Sequence, residues 1–429
     1  METAAELRDS AEQALVLMRA EGFEHAQVSA VRARLDELNI HHNEPSLLRS
    51  AETRQVALLG IVDGRMASTE LADCSAEALR DGVRRLFVDA RSAPPDPANA
   101  VSSGQHAQLV QGPQRPDADL LAGTAAELLA FRARETPRMM IDEADAKHTL
   151  RQSHTLTSGG SDIACSVGCY SLGVFGTARD GARSSSFNYT GGTVDDLARA
   201  PAPDLFGIAD MLRDTERQIE TRPLGGKFVG DVVLMPNAVG SLLAWLQAQL
   251  GDTQLIAGSS LYRERVGDAI ASPLLGIRSR FDAPGVGAVS ADAFVTPPVE
   301  LVRAGRLLTL TPSLYGSRKT GLPHVPLAAS GWDIDPGETP RDALPAGIAR
   351  GALVGRLSMG NPAANGDFSG VIKNSFAIVD GAVGPALSEV MITGNIARML
   401  HDIVGVSRER IDAGALRLPW LRIGNLHFS

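Results

Sequence analysis

The stretch GDFSGVIKNSFAIVDGAVGPALSEVMITGNIARML, residues 366–400, carries the pattern that decides the fold of the C-terminal half. Apolar and polar residues alternate on both sides of Asp380-Gly381, a pair typical of a two-residue turn between antiparallel strands. A helical pattern follows from about Ile396 to Val404, before a final pair of strands. These features predict a strand-rich, antiparallel C-terminal domain.

Upstream, the strand-like run KFVGDVVLMP leads into a helical stretch, GSLLAWLQAQLGD, residues 240–252. Leucines recur in it at helical spacing, which predicts that one face packs against a core. Beside this stripe stand Trp245 and Gln249, which are neighbours on a helix because they are four residues apart. Either this is a core helix with a Trp–Gln edge, or Trp245 fills a pocket or contacts a partner subunit, since tryptophan is enriched at interfaces.

The N-terminal half predicts a mixture of helices and strands. A helical pattern opens the chain, and a second one ends near residue 92. Between these two helices, strand patterns lie on both sides of Asp63-Gly64. The predicted fold class is α+β, with antiparallel strands in the middle of the chain and a curved antiparallel sheet or barrel at its C-terminal end. The predicted divisions are an N-terminal α/β module (1–92), a Pro-, Ser- and Gly-rich linker or long loop (93–119), a middle strand-rich module (120–224) and a β-rich C-terminal domain (225–429).

Composition indicates a folded protein without affinity for nucleic acid or membranes. The chain has 429 residues, of which 44% are hydrophobic, enough for two or three domains. Its net charge of -9, with no dense run of Lys and Arg, disfavours both a phosphate backbone and a membrane surface as partner. The N-terminus lacks a signal-peptide pattern, and no apolar run reaches the ~20 residues of a membrane span. Three cysteines cannot all pair, so we expect a reducing, cytoplasmic location.

Residues that could ligate a metal lack a suitable spacing. On one strand His148 and His154 would lie about 20 Å apart, too far to share an ion. Cys165 and Cys169 would lie about 13 Å apart on a strand, beyond the ~7 Å limit for a disulfide, which predicts packed or free thiols. A nucleophile elbow, a dinucleotide-binding glycine motif and a phosphate-binding loop are also missing from the sequence.

Two segments remain as candidate binding loops. The glycine-rich segment at 351–370 is either a binding loop or an ordinary crossover between strands. The segment YGSRKTG, residues 315–321, predicts a turn that presents Arg318 and Lys319. These two cations either form a solvated surface turn or recognise an anion such as a carboxylate.

Longer segments of the C-terminal half resemble the TldD/PmbA family. FDAPGVGAVSADAFV with its continuation to SRKTGL, residues 281–322, is similar to the family's Phe-Asp-x-x-Gly-Val turn, following strand and Arg-Lys-x-Gly-Leu turn. The stretch from residue 366 is similar to the closing signature, in which Gly-Asp-Phe-Ser precedes an acidic-Gly hairpin and a Ser-Glu-x-x-Ile-x-Gly-Asn turn. Weaker similarities in DGRMASTELADCSAEALRDG and FGTARDGARSSSFNYTGG extend the resemblance over nearly the whole chain.

The resemblance implies a heterodimeric zinc peptidase built from two kinds of chain. In the TldD branch a helix carries His-Glu-x-x-x-His, which holds zinc together with a cysteine near the C-terminus, whereas the PmbA branch, also called TldE, lacks these residues. The matching positions here are Ala244, Trp245 and Gln249, and no cysteine follows Cys169. Since zinc favours imidazole, thiolate or carboxylate ligands, we expect no cofactor on this chain and zinc on a TldD-type partner.

The expected function is therefore that of a PmbA/TldE-type, non-catalytic subunit of a zinc metallopeptidase that cleaves unfolded or precursor peptides. This chain would shape the chamber and hold substrate, for example by pairing an extended peptide with an exposed strand edge. Two alternatives are a stand-alone, metal-free tailoring enzyme of a natural-product pathway and a peptide-binding scaffold without hydrolytic role. The candidate substrate or interface residues are Trp245, Arg318, Lys319, Asp367, Glu389 and Asn395.

Overall fold

The computed structural model describes residues 2–327 and 331–429 and consists of two β-sheets with helices packed on them. The helices are α1 (Glu2–Glu21), α2 (Ala76–Ser92), α3 (Ala118–Glu135), α4 (Ile208–Arg217), α5 (Pro236–Leu250), α6 (Asp252–Ile256), α7 (Leu314–Thr320) and α8 (Ile396–His401). The strands of the first sheet are β1 (His25–His41), β2 (Glu44–Val62), β3 (Arg65–Leu71), β4 (His106–Gln111), β5 (Met139–Thr157), β6 (Asp162–Asp180), β7 (Arg183–Ser184) and β8 (Asn188–Val194). Those of the second are β9 (Thr221–Arg222), β10 (Phe228–Leu234), β11 (Ile277–Ser279), β12 (Glu300–Arg303), β13 (Arg306–Leu307), β14 (Trp332–Ile334), β15 (Arg350–Val354), β16 (Arg356–Ser358), β17 (Asp367–Lys373), β18 (Phe376–Val379), β19 (Ala382–Leu387), β20 (Val390–Asn395), β21 (Ile403–Asp412) and β22 (Leu416–Phe428).

The first sheet has the order β3-β2-β1-β5-β6, with neighbours antiparallel. The far edge of β6 is shared: β4 lies parallel to its first part and β8 antiparallel to its second. Two apolar clusters cover this long sheet. One contains α1 and α2 with β1 and β2, and the other contains α3 and α4 with β5 and β6.

The predicted linker and the module boundaries around it require correction. The segment 93–119, predicted as a linker or long loop, contains β4 and the first residues of α3. The predicted modules 1–92 and 120–224 share a single sheet, because β1 pairs with β5 from Gln27↔Thr157 to His41↔Glu143. The sequence HAQLVQ of β4 is only half-buried, so its apolar pattern is weak, and its parallel partner β6 is distant along the chain.

The second sheet follows the path β13-β12-β11-β14-β22-β10-β15-β18-β19-β9, with β16, β17, β20 and β21 branching from it. The predicted hairpin at Asp380-Gly381 is confirmed: it joins β18 and β19, and its two φ angles of 47° and 80° are the left-handed values that such a tight turn requires. Most pairs are antiparallel as predicted, but β10–β15, β14–β22 and β9–β19 are parallel. The helix predicted from Ile396 ends at His401, because the chain turns into β21.

Helix α5 lies at the centre of the apolar core that covers the second sheet. It begins with Pro236 at its first turn, where the missing N–H of proline costs no hydrogen bond. The predicted apolar stripe is confirmed, since its side chains are all nearly inaccessible to solvent: Val239, Leu242, Leu243, Leu246 and Leu250. Truncating one such leucine to alanine costs about 2–5 kcal/mol in comparable cores. The opposite side of α5 carries Ala244, which is exposed.

The two sheets are joined by polar contacts at several places. Gln218, at the end of α4, donates a buried hydrogen bond of 2.9 Å to the Ser375 carbonyl. Thr193 of β8 donates to the Pro284 carbonyl at 2.8 Å. Among residues 2–327 and 331–429, no helix combines the length and the apolar character needed to cross a membrane.

Candidate functional site

The side chain of Trp245 connects α5 to the loop before β17. The ring is 7% exposed and lies edge-on to Tyr262, with ring centroids 6.1 Å apart. Its Nε1–H donates to the Ala363 carbonyl at 3.1 Å. This burial favours the core interpretation of Trp245 over a role as an exposed partner contact.

Gln249, one turn further along α5, bridges two loops. It is 1% exposed, and its Nε2 donates to the Ala364 carbonyl at 2.9 Å. Its Oε1 accepts from the Leu261 N–H, also at 2.9 Å. Both ends of the amide are therefore committed to backbone groups, and the residue fixes the loops on either side of the helix.

A second set of hydrogen bonds closes the same loop from its other end. Asn395 Nδ2 donates to the Asn365 carbonyl and to Asp367 Oδ1, each at 2.8 Å. Asn365 Nδ2 donates to Asp367 Oδ2 at 2.8 Å. The hydrogen bonds from Asn395 and Asn365 lower the pKa of the Asp367 carboxyl. Asn395 also caps α8, because its Oδ1 accepts from the Arg398 N–H at 3.0 Å.

Gly366 allows the loop to come this close to α5. Its φ of 90° is a conformation that residues with a side chain rarely adopt. A Cβ at this position would lie 3.2 Å from Trp245 Cζ2 and 3.3 Å from Asn395 Nδ2. Residues 359–366 therefore form the loop between β16 and β17, within the glycine-rich segment 351–370, and this loop packs on Trp245.

A cleft of about 340 Å³ lies between α5 and the segment 357–364. We call it the α5 cleft. Its lining includes Ala244, Trp245 and Gln249, the three positions that match the zinc motif of the TldD branch. Its described lining side chains are apolar or neutral, and none of them titrates near neutral pH: Ser241, Ala244, Trp245, Ala248, Gln249, Gln254, Leu357, Met359, Asn361, Pro362 and Ala364. Such a lining can hold a ligand but offers no general acid or base.

Within the described part of the chain, no three His, Cys, Asp or Glu side chains are grouped so that they could hold a metal ion. His148 donates to the Pro113 carbonyl at 2.9 Å, and His154 lies 2.8 Å from Asp162 Oδ1. The predicted thiols Cys165 and Cys169 are free on β6, and burial raises the pKa of each. Both histidines thus contact other groups of the chain, and both thiols are partly buried on β6.

Arg318 and Lys319 lie away from the α5 cleft. The predicted turn at 315–321 is wrong, because Leu314–Thr320 forms α7, capped by the Ser313 hydroxyl. Lys319 Nζ lies 2.8 Å from Asp96 Oδ2, and Arg318 donates to the Pro97 carbonyl at 2.8 Å. The Lys319 ammonium is the main cause that lowers the pKa of Asp96 to about 2. Both cations thus contact the segment after α2.

Glu389 is separate from both groups. Its carboxylate is 67% exposed and lies 2.9 Å from Lys373 Nζ. Of the residues proposed from the sequence, the structure brings together Trp245, Gln249, Asp367 and Asn395, and it does not bring Arg318, Lys319 or Glu389 to them.

Sequence reasoning missed the groups that receive these side chains. The acceptors for Trp245 and Gln249 are backbone carbonyls, which no residue type reveals. Tyr262 was also missed, although it packs on Trp245. Its hydroxyl has no hydrogen-bond partner among the described residues, and burial raises its pKa to about 12. The alternation of asparagine and glycine in GNPAANGD was the one usable signal for this loop.

The chain is similar in fold to three solved structures. TldE from Thermococcus kodakarensis matches with a TM-score of 0.82 and 16% identity, covering 98% of this chain and 100% of that one. A protein described as a candidate modulator of DNA gyrase from Bacteroides thetaiotaomicron matches with a TM-score of 0.85 and 19% identity, covering 99% of each chain. Another with that description, from Thermotoga maritima, has a TM-score of 0.78 and 15% identity, covering 98% of this chain and 100% of that one. At identities this low, the likeness to these structures establishes the fold alone.

The sequence of the C-terminal half matches a known protein family. No protein of curated function matches the chain. Residues 226–429 match the sequence profile of the PmbA/TldA metallopeptidase C-terminal domain. This range contains α5, the α5 cleft and all strands of the second sheet except β9. Residues 226–429 thus place the C-terminal domain of this chain in the TldD/PmbA family.

Proposed function

We propose that this chain is the PmbA/TldE-type, non-catalytic subunit of a heterodimeric TldD/PmbA zinc metallopeptidase that acts on unfolded or precursor peptides. One observation carries the proposal. At the helix positions that match the zinc motif, Ala244 has no ligand atom, and the polar atoms of Trp245 and Gln249 are bound to backbone groups.

These residues do not fit zinc. Zinc is held by imidazole, thiolate or carboxylate groups, whereas an indole N–H is only a donor and a carboxamide oxygen is a weak ligand. The Gln249 oxygen also already accepts the Leu261 N–H. The proposal therefore assigns zinc, its cysteine ligand and the glutamate base to a TldD-type partner, and no hydrolytic step to this chain.

The role assigned to this chain is to hold substrate in the α5 cleft. β16 pairs with β17 on one side, while its other side faces α5, where Ser241 Oγ lies 3.5 Å from the Leu357 carbonyl. An extended peptide beside β16 would find backbone groups and a neutral lining, which select for an unfolded chain rather than for particular charges. This arrangement supports loosely specific processing of peptides.

An open strand edge supports assembly with a partner. β2 pairs with β1 along nearly its whole length, but β3 covers only residues 56–62 of its other edge. Residues 44–54 are exposed, including Leu47 and Leu48, which are 45% and 65% exposed. Because unpaired edges are templates for another strand, the proposal assigns the partner contact to this edge.

Co-expression with a TldD-type protein encoded nearby tests the proposal. We expect the two chains to purify together, with zinc on the partner and cleavage of unfolded peptides only by the pair. Leu47→Lys with Leu48→Lys should reduce co-purification while leaving the fold of this chain intact, because both side chains already face solvent. Val16→Lys, at an exposed position of α1, is the matched control and should purify with the partner normally.

Other outcomes would support a different function. Stoichiometric zinc on this chain alone would contradict the proposal, as would full cleavage without the partner. Metal-free turnover by the purified chain would favour a stand-alone tailoring enzyme, although Arg318, Lys319 and Glu389 do not converge on one site. A stable pair that hydrolyses no peptide would favour a scaffold.

A further inference from the structure

A second cavity, of about 170 Å³, lies where the two sheets meet, between α4, the first turn of α5 and strands β21 and β22. We call it the inter-sheet cavity. An apolar cavity of ~150 Å³ admits a benzene ring, so this one has room for a single apolar side chain. Its apolar walls are formed by Phe206, Met211, Ile411, Leu416, Leu418 and Trp420.

One polar side chain of this cavity has no partner. Asn374, in the turn between β17 and β18, is 4% exposed, and its φ of 50° is left-handed. Among the described residues, neither its Nδ2 nor its Oδ1 has a hydrogen-bond partner. Leaving a buried donor and acceptor unpaired costs roughly 1–3 kcal/mol each. The carboxamide therefore offers one donor and one acceptor to a ligand in the cavity.

The first turn of α5 adds a hydrogen-bond donor at the same place. Met235, Pro236 and Asn237 line the cavity, and no side chain caps the helix. Pro236 has no N–H and the Met235 N–H donates to the Val354 carbonyl at 2.9 Å, so the Asn237 N–H is the donor that these three residues offer. The leading N–H groups of a helix have no intrahelical acceptor and attract oxygen atoms with partial negative charge. A carbonyl oxygen in the cavity would meet the Asn237 N–H as well as the Asn374 amide.

Each of the two carboxylates that line the cavity already has an arginine partner. Asp210 Oδ2 lies 2.6 Å from Arg341 NH1, and Asp214 Oδ1 lies 3.1 Å from Arg217 NH1. No cation lines the cavity in the described part of the chain. A ligand with a full charge would find no opposite charge free to receive it, so the chemistry favours a neutral ligand.

We propose that the inter-sheet cavity binds a neutral secondary amide that carries one apolar side chain. The amide C=O accepts from Asn374 Nδ2 and the first turn of α5, the amide N–H donates to Asn374 Oδ1, and the side chain fills the apolar part. This site is distinct from the α5 cleft, which lies further along the same helix and shares no described lining residue with it. That the amide is a hydrophobic residue of a peptide substrate rests on the proposed function.

Ligand titration of the isolated full-length chain, followed by NMR, tests this inference. The probes are N-acetyl-L-leucinamide, N-acetylglycinamide and free leucine. We expect the leucinamide to bind at least tenfold more tightly than either of the others, since only it provides both an amide and an apolar side chain without charge. Equal affinities for leucinamide and glycinamide would overturn the proposal.

Two variants locate the site. In Gly240→Leu the new side chain enters the cavity, because a Cβ there meets only Leu418, at 3.9 Å, and we expect at least a tenfold loss of affinity. Gly123→Leu, on an exposed face of α3, is the matched control and should bind as the wild type does. Similar binding by wild type and Gly240→Leu would contradict the assignment.

Asn374→Gly removes the amide but tolerates the left-handed backbone, and we expect at least a fivefold loss of affinity with an unchanged spectrum elsewhere. Asn374 also borders a neighbouring cavity that contains Ser388. Shifts confined to Ser388 and its surroundings on titration would place the ligand there and overturn the proposal.

A competition experiment with a peptide distinguishes this inference from the proposed function. A pentapeptide with a central leucine should compete with the leucinamide if the natural ligand is a peptide, and failure to compete would restrict the site to small amides. None of these measurements requires the zinc-bearing partner. Absence of cleavage by the pair would therefore contradict the proposed function while leaving the binding result intact.

Discussion

At the scale of single residues, the side-chain polar atoms of Trp245 and Gln249 in the α5 cleft are bound to other groups of the chain. A metal-binding helix must present lone pairs to an ion, whereas here Trp245 presents only an N–H, and that N–H is bound to Ala363. Gln249 extends the same arrangement to a neighbouring carbonyl and to an amide from the following loop. The two residues thereby tie the loop between β16 and β17 to α5.

Gln249→Ala should lower the free energy of unfolding by about 1–3 kcal/mol, because it removes a buried side chain that makes two hydrogen bonds, to the Ala364 carbonyl and from the Leu261 N–H. Urea denaturation measures the change. Gln247→Ala is the control on the same helix: its Nε2 has no partner, so we expect a change below about 0.5 kcal/mol. Equal destabilisation by the two substitutions would show that the hydrogen bonds of Gln249 contribute little.

The buried carboxyl group of Asp214 should make the stability of the protein depend on pH. Burial raises the pKa of its carboxyl from 3.8 to about 6, so the folded state favours the protonated form. The stabilising contribution is complete below pH 3.8 and is lost as the pH rises through about 6. Asp214→Asn should therefore stabilise the protein at pH 8 by up to about 3 kcal/mol and have little effect near pH 4.

Thermal denaturation from pH 4 to pH 8 measures this difference. The asparagine retains an oxygen that can accept from Arg217, as the aspartate does at 3.1 Å. Asp342→Asn is the control, because its side chain is 93% exposed. A constant difference in melting temperature between Asp214→Asn and wild type across the pH range would contradict a raised pKa.

At the scale of elements, sequence patterns predicted what local periodicity determines. Helix α5 and the hairpin at Asp380-Gly381 were predicted because each repeats its pattern over many residues or requires a specific turn. Strand β4 was missed, since its partner β6 lies more than fifty residues away and its own residues are half-exposed. Helix α7 was missed because seven residues give too few periods to separate a helix from a turn.

The candidate site shows the same limit. The sequence identified Trp245, Gln249, Asp367 and Asn395, because residue types with chemistry stand out in a sequence. Their mutual contacts were not predicted, since Asn395 reaches Asp367 across the pairing of β17 with β20. The inter-sheet cavity was also not predicted, because its walls come from both sheets and its defining feature is an unpaired amide.

The loop between β16 and β17 depends on the size of Gly366. Gly366→Ala should lower the free energy of unfolding by roughly 1 kcal/mol more than Gly360→Ala does. Both substitutions strain a left-handed backbone, but only the first places a methyl group against Trp245. At Gly360 a Cβ meets nothing within 4 Å. Denaturation followed by tryptophan fluorescence measures both the stability and the environment of the ring. Equal effects of the two alanines would indicate that the loop does not rest on Trp245.

At the scale of the whole molecule, the ligand site proposed in the inter-sheet cavity requires the two sheets to keep a fixed relation, because its walls come from both. Sequence separation makes these contacts the least predictable ones: Tyr315 donates to Asp96 at 2.8 Å across 219 residues. Arg318 and Lys319 add two contacts to the same short segment after α2. We call this group of contacts the Asp96 clamp, and it explains why these cations are not available as an anion site.

Opening of the Asp96 clamp should be visible in hydrogen exchange. Asp96→Ala removes the acceptor for Lys319, Tyr315 and the Ala98 N–H, so we expect faster exchange both in the segment 93–104 and in α7. Asp73→Ala is the matched control: its carboxylate accepts from Ser75 at the start of α2 and, among the described residues, has no hydrogen bond to the second sheet. Its exchange change should stay within α2.

Acid provides a second readout of the same clamp. The pKa of Asp96 is lowered to about 2, so its contribution is present above the ordinary value of 3.8 and is lost as the pH falls through about 2. In the wild type, protection of α7, corrected for intrinsic exchange rates, should therefore persist at pH 4 and decline towards pH 2. In Asp96→Ala it should already be low at pH 4 and change little below it. Identical protection of α7 in both proteins at pH 4 would show that the two sheets are held together elsewhere, with Gln218 and its bond to Ser375 the next contact to remove.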